Sequence, residues 1–155
     1  SSDSFETTLN PKNITIIADI KIAGIEEEIV RKLRNRKVIY FSHIKKVLAK
    51  VKELNPRALT GIYYVPKANL AAFVKRIRFV NRFLKSARKH SADIIAIPGP
   101  YVTKKFIVAA NKQGFKIYVY GLFRKKYIKK AFDLKAYALE IDKVKDLEYI
   151  KKLKA

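Results

Sequence analysis

Asp19 and Lys21 are the residues whose types and spacing most invite chemistry. They stand two apart in the run Ile14 to Ile22 (ITIIADIKI), and side chains two apart in a strand share a face. Charges in so apolar a run need a partner, a metal or a route to water. Three arrangements answer that need: an ion pair at the strand's end, a solvated exit, or a carboxylate metal ligand beside a substrate-binding lysine. Ser42-His43 is a lone polar pair closing a second apolar run, and there Ser42 reads as a helix N-cap rather than as a nucleophile. The 155 residues hold no Cys and two His, His43 and His90, which excludes thiolate catalysis, disulfides and a His-rich or Cys-based zinc site. The glycines Gly24, Gly61, Gly99, Gly114 and Gly121 form neither a dinucleotide-binding nor a P-loop phosphate cradle.

The other candidates are cations. Lys and Arg number 35 against 13 Asp and Glu, a formal net charge of +22. From Ile29 to Ala92 the one acid is Glu53. One stretch carries Lys75, Arg76, Arg78, Arg82, Lys85, Arg88 and Lys89 without a counter-charge; Arg78, Arg82, Lys85 and Lys89 fall at helical spacing. A second cluster joins Lys104 and Lys105 to Arg124, Lys125, Lys126, Lys129 and Lys130, with Tyr127 among them as an aromatic that could stack on a base. Like charges one turn apart repel, and a phosphate backbone relieves that repulsion. A solvated face of Lys and Arg stems is the plainer alternative. The expected partner is a polyanion, structured RNA above DNA, met mainly through phosphates.

Strand-like and helix-like segments alternate along the chain. Ser1 to Lys12 read as a loose arm and residues 13–155 as one α/β domain. Strands are expected at Ile14 to Ile22, Lys37 to Phe41, Leu59 to Val65, Asp93 to Ile97, Phe115 to Tyr120 and Tyr137 to Ile141. Helices are expected at Glu26 to Arg36, from Ser42 to Leu54, Asn69 to Lys89, Thr103 to Lys112 with Gly114 at its end, Arg124 to Phe132, and Lys143 to Leu153. Six successive βα units with near-continuous apolar strands predict a parallel sheet covered by helices. The chain is too short for a (β/α)8 barrel of about 200 residues or more, so a partial or shortened TIM-barrel-like sheet is expected. Its uncharged apolar stretches reach about eight residues, against the roughly 20 of a membrane-spanning helix.

The strand carrying Asp19-Ile20-Lys21 resembles the Glu-x-Lys strand of glycerophosphodiester phosphodiesterases, where the carboxylate binds metal. Ala92-Asp93-Ile94-Ile95 with Pro98, Thr103 through Val108-Ala109-Ala110, and Gly114 through Tyr120 are similar to that family's later barrel units. Asp142 falls on the Asp of its closing segment, so the resemblance runs from about Ile14 to Leu153, the last six units of an eight-unit barrel. The family's first units, with the catalytic His-Arg pair, a second His and further metal carboxylates, have no counterpart here. The family's tryptophan-threonine-x-asparagine after the fifth strand reads Tyr120-Gly121-Leu122-Phe123 here, keeping only an aromatic, and in the family's final motif Tyr137, Ile141 and Val144 replace the acid, threonine and proline.

Two readings follow. The first is a non-catalytic, basic nucleic-acid-binding component of a ribonucleoprotein or larger complex, built on a degenerate phosphodiesterase-like barrel and needing no cofactor. The resemblance implies the second: a divergent phosphodiesterase completed by a partner chain, with a divalent metal on Asp19 and with Lys21 beside it. A structural subunit whose basic face meets an acidic protein is a third. Other protein subunits are expected as partners because a six-unit sheet leaves two open edges. The expected compartment is intracellular, cytoplasmic or organellar.

Overall fold

The computed structural model describes residues 15–64, 77–141 and 143–154, the side chains of 77–79, 144 and 154 excepted. Six βα units follow one another: β1 (Thr15–Asp19), α1 (Glu26–Leu33), β2 (Lys37–Ser42), α2 (Lys45–Leu54), β3 (Leu59–Tyr63), α3 (Ile77–Lys89), β4 (Ile94–Pro98), α4 (Lys104–Lys112), β5 (Lys116–Tyr120), α5 (Lys125–Asp133), β6 (Ala138–Leu139) and α6 (Val144–Lys154). A 3₁₀ turn (Gly99–Tyr101) lies between β4 and α4. All neighbouring strands pair in parallel, in the order β1-β2-β3-β4-β5-β6. Each chain excursion therefore returns to the same end of the sheet, and every strand-to-helix loop gathers at the C-terminal end of the strands.

Local chemistry sets the helix ends. Helix α1 opens on Glu26, Glu27 and Glu28 and closes on Arg31 and Lys32, matching its dipole, with Lys32 Nζ 2.6 Å from Glu28 Oε1. Thr103 caps α4 by accepting from the Phe106 N–H at 3.1 Å. Gly114, at φ +79°, ends it: its own N–H reaches Asn111 O at 2.9 Å, and the Phe115 N–H reaches Ala110 O at 3.1 Å. Ser91 and Lys135 take the same left-handed position after α3 and α5.

Helices cover one face of the sheet. The larger cluster on that face joins Ile95, Ile97, Ile117 and Val119 to Leu84, Phe106, Ile107 and Ile128; a second joins Val38 and Tyr40 to Val30, Val47 and Val51. The opposite face buries strand residues alone: Ile39, Phe41, Ile94, Ala96 and Tyr118. Phe41 on β2 and Tyr118 on β5 lie three strands apart, about 14 Å in a flat sheet, yet their ring centroids are 5.2 Å apart. Tyr63 on β3 meets Tyr120, two strands away, at 5.7 Å. The sheet is curled into a half-barrel with these aromatics on its concave side. Small residues make the room. A Cβ on Gly61 would run into the Phe41 ring, so only glycine lets that ring cross β3.

Several boundaries differ from the sequence reading. Strand β1 ends at Asp19, so Lys21 lies just beyond it, and β6 is two residues long. Ser42 is not the N-cap of α2. It ends β2, fully buried; its hydroxyl donates to Ile20 O at 2.7 Å and accepts from the Ile44 N–H at 3.0 Å. Ile44 holds the capping position, with no side-chain cap. The arm Ser1 to Lys12, the expected helix start at Asn69, Lys75, Arg76 and Asp142 lie outside the described residues. Among the described residues no helix is long and apolar enough to cross a membrane.

Candidate functional site

The C-terminal end of the strands gathers Asp19, Tyr63, Tyr120 and the residues just after them. Asp19 and Lys21 share a face as their spacing requires: Lys21 Nζ is 3.4 Å from Asp19 Oδ2, with the lysine side chain 75% exposed and the aspartate 31%. The Tyr63 hydroxyl donates to Asp19. Burial first, then the Asp19 charge and that hydrogen bond, then Glu140, push its proton loss well above the ordinary tyrosine range. Tyr120 is raised by burial, then by Glu140 and Tyr101, and its hydroxyl reaches Tyr64 O at 3.3 Å. Tyr118 Oη donates to Glu140 Oε2 at 2.5 Å. Asp19 and Glu140 are therefore each engaged by a tyrosine hydroxyl. Lys21 is left as a cation aimed at solvent and tethered by Asp19.

A hard divalent cation takes about six oxygen ligands, several of them carboxylates. Among the described residues no group of three His, Cys, Asp or Glu could hold a metal ion, and Asp19 already faces an ammonium and a phenol. The described residues do not by themselves fit a metal. Ser42 and His43 do not form a nucleophile–base pair either, because the Ser42 hydroxyl is spent on Ile20 O while His43 is exposed.

The sequence-predicted cations fall in two places. Arg82, Lys85 and Lys89 line, with Ser86, Arg88 and His90, an open depression of about 620 Å³ on α3; Arg78 belongs to the same helix, its side chain outside the described ones. Lys104, Lys126, Lys129 and Lys130 line a second of about 410 Å³, together with Asp133 and Leu134. Lys105, Arg124 and Lys125 are exposed beyond it. Some of this charge is engaged: Lys129 Nζ lies 2.8 Å from Asp133, Lys125 Nζ sits 5.4 Å from the Tyr149 ring centroid, and Arg88 donates to Gln113 O. Tyr127 packs half-buried against the main cluster, with Lys126 Nζ 5.1 Å from its ring centroid. Sequence reasoning missed Lys45, which reaches Ser86 Oγ at 3.3 Å from α2. Burial, then the charges of Lys45 and Lys89, hold His90 below the usual imidazole range. No pattern within α3 could have shown a contact made from α2. The tyrosines around Asp19 were missed as well; their signal was their alternation in LTGIYYV and FKIYVY.

No family model matches the sequence, and no curated protein matches it. Solved structures do resemble the fold. A glycerophosphodiester phosphodiesterase from Parabacteroides distasonis superposes at a TM-score of 0.66 with 11% identity, covering 90% of this chain and 58% of that one. The enzyme of the same name from Agrobacterium tumefaciens gives 0.60 at 14% identity, over 83% and 52%. A phosphodiesterase from Oleispira antarctica, solved with sn-glycerol-3-phosphate, gives 0.59 at 13%, over 78% and 49%. The fold is that of part of a glycerophosphodiester phosphodiesterase barrel. The chain spans about half the length of these phosphodiesterases. In this half-barrel the Asp19–Lys21 pair stands at the end of the strands where parallel barrels keep their active sites.

Proposed function

We propose that the chain forms the later part of a phosphodiesterase-type barrel and contributes one wall of a phosphodiester site. Lys21 meets a phosphoryl oxygen and Asp19 holds the lysine in place. The remaining groups, including any metal-binding carboxylates and a proton-carrying histidine, come from barrel units outside these 155 residues. The observation that carries the reading is the Asp19–Lys21 ion pair at the mouth of a sheet shaped like those phosphodiesterases. General acid–base cleavage needs a positioned proton carrier, which the mouth does not supply among the described residues. Titration with sn-glycerol 3-phosphate should shift the Lys21 and Tyr63 amide resonances saturably, and Lys21→Ala should abolish the shift. No shift in the unaltered chain would overturn the reading. Incubated alone with a glycerophosphodiester and Mg²⁺ or Ca²⁺, the chain should release no glycerol phosphate.

The two basic depressions favour a second reading, in which the helical surface binds a polyanion such as structured RNA within a ribonucleoprotein. If five or six cations neutralise duplex phosphates, log K should fall against log salt with a slope of about −5. Arg82→Glu with Lys85→Glu should weaken all sequences alike. Salt-independent binding would refute it.

A further inference from the structure

We propose that the strand-to-helix loops form a membrane-docking rim that seats the C-terminal end of the half-barrel on an anionic bilayer surface. The two most exposed large apolar side chains among the described residues are Phe123, 78% exposed, and Ile22, 61% exposed. Both lie in loops that follow a strand, Ile22 after β1 and Phe123 after β5, and the parallel topology puts those loops at one end. Each apolar tip sits beside cations. Lys21 precedes Ile22, and Arg124, Lys125 and Lys126, all exposed, follow Phe123. Most acids described at this end have partners: Asp19 pairs with Lys21, Glu140 accepts from Tyr118, buried Glu26 accepts from the Gly24 N–H and Glu28 pairs with Lys32, while Glu27 is exposed and Asp146 half-buried. The rim thus presents two exposed apolar tips, Phe123 ahead of three cations and Ile22 beside Lys21, on a chain of net charge +22, the combination that partitions into the interface of an anionic membrane.

Two observations separate this partner from others. The cores of protein–protein interfaces are depleted of Lys, whereas here lysine or arginine flanks each apolar tip. Nucleic acid offers bases for stacking, which suits Phe123 but not Ile22, a side chain with no π face. The helical basic depressions carry charge without exposed apolar tips, so charge attraction alone would not favour the rim over them. The proposal is independent of which ester, if any, the mouth binds.

The test is co-sedimentation of the chain with unilamellar vesicles of phosphatidylcholine and phosphatidylserine at roughly 7:3, and with phosphatidylcholine alone, at about 0.15 M salt. The expected result is binding to the anionic vesicles, weakened about tenfold by Ile22→Ser with Phe123→Ser and much less by Arg82→Glu with Lys85→Glu. Phe123→Trp should show a blue-shifted emission on mixing with the anionic vesicles, a readout that does not depend on the serine variants folding. The proposal fails if the serine pair leaves vesicle binding unchanged, if the helical charge reversal removes it instead, if the Trp emission does not move, or if the serine pair weakens duplex RNA binding while sparing the vesicles.

Discussion

The two faces of the one sheet are closed by different means. On the convex face helices bring Leu84, Phe106, Ile107 and Ile128 against β4 and β5, and two clusters bury apolar side chains from strands and helices together. On the concave face the buried cluster among the described residues holds no helix residue; strand aromatics close it by reaching over glycine and alanine. A parallel sheet ordinarily needs both faces covered. Curl substitutes for a second helical layer here, and it works only near the middle strands. Toward the β1 edge it runs out, leaving Ile17 46% exposed. The same curl brings Tyr63 to Asp19, so the packing of the concave face and the geometry of the mouth have one cause.

The largest test of that contrast compares Phe106→Ala on the convex side with Phe41→Ala on the concave side. Both rings are at most 1% exposed, and each loss should cost about 3–5 kcal/mol in urea unfolding. If Phe41→Ala cost under about 1 kcal/mol, the concave layer would be no true core. Next, Gly61→Ala should destabilise by about 1–3 kcal/mol, because its Cβ enters the Phe41 ring. In a Phe41→Leu background that cost should shrink, since the obstructing ring is gone. An unchanged cost would locate the strain elsewhere.

A smaller effect separates the faces by pH. Tyr64, on the convex side, is pushed up to about 12, by burial first and then by Tyr101. A raised folded-state pKa means that the folded chain holds the proton longer. The stability linked to it is complete below pH 10 and is lost as pH rises from 10 towards about 12. The stability difference between the unaltered chain and Tyr64→Phe should therefore be flat below pH 10 and shift against the unaltered chain above it. Added salt should lower the concave Tyr63 more than Tyr64 in a titration resolving the two, because Asp19 and Glu140 help raise Tyr63. The smallest effect concerns Lys21. Lys21→Ala should change stability by under about 0.5 kcal/mol, since the pair it breaks is mostly solvated. A larger loss would make the ion pair structural and weaken its reading as a binding group.

Much of the fold was legible in the sequence. Near-continuous apolar runs rich in β-branched residues placed all six strands, Thr103 and Gly114 marked the ends of α4, and the acid-to-base gradient marked α1. The site was legible in part. A two-residue spacing sufficed to put Asp19 and Lys21 together, since strand alternation is a local property. Ser42 was misread because its position before an apolar helical stripe looks the same whether it caps that helix or bridges to β1; its partner, Ile20 O, is 22 residues away.

The sequence by itself determined the order and kind of the elements, the parallel sense of the sheet and the excess of positive charge. Each follows from patterns a few residues long or from simple composition. Tertiary structure alone decided the curl, the passage of Phe41 over Gly61 to Tyr118, the tyrosine hydroxyls that engage Asp19 and Glu140, and the meeting of Lys45 with α3. These contacts join residues on strands or helices that pair only after the whole sheet has formed. Their geometry is set by accumulated twist and curvature, a sum over all the strands that no short stretch of sequence contains.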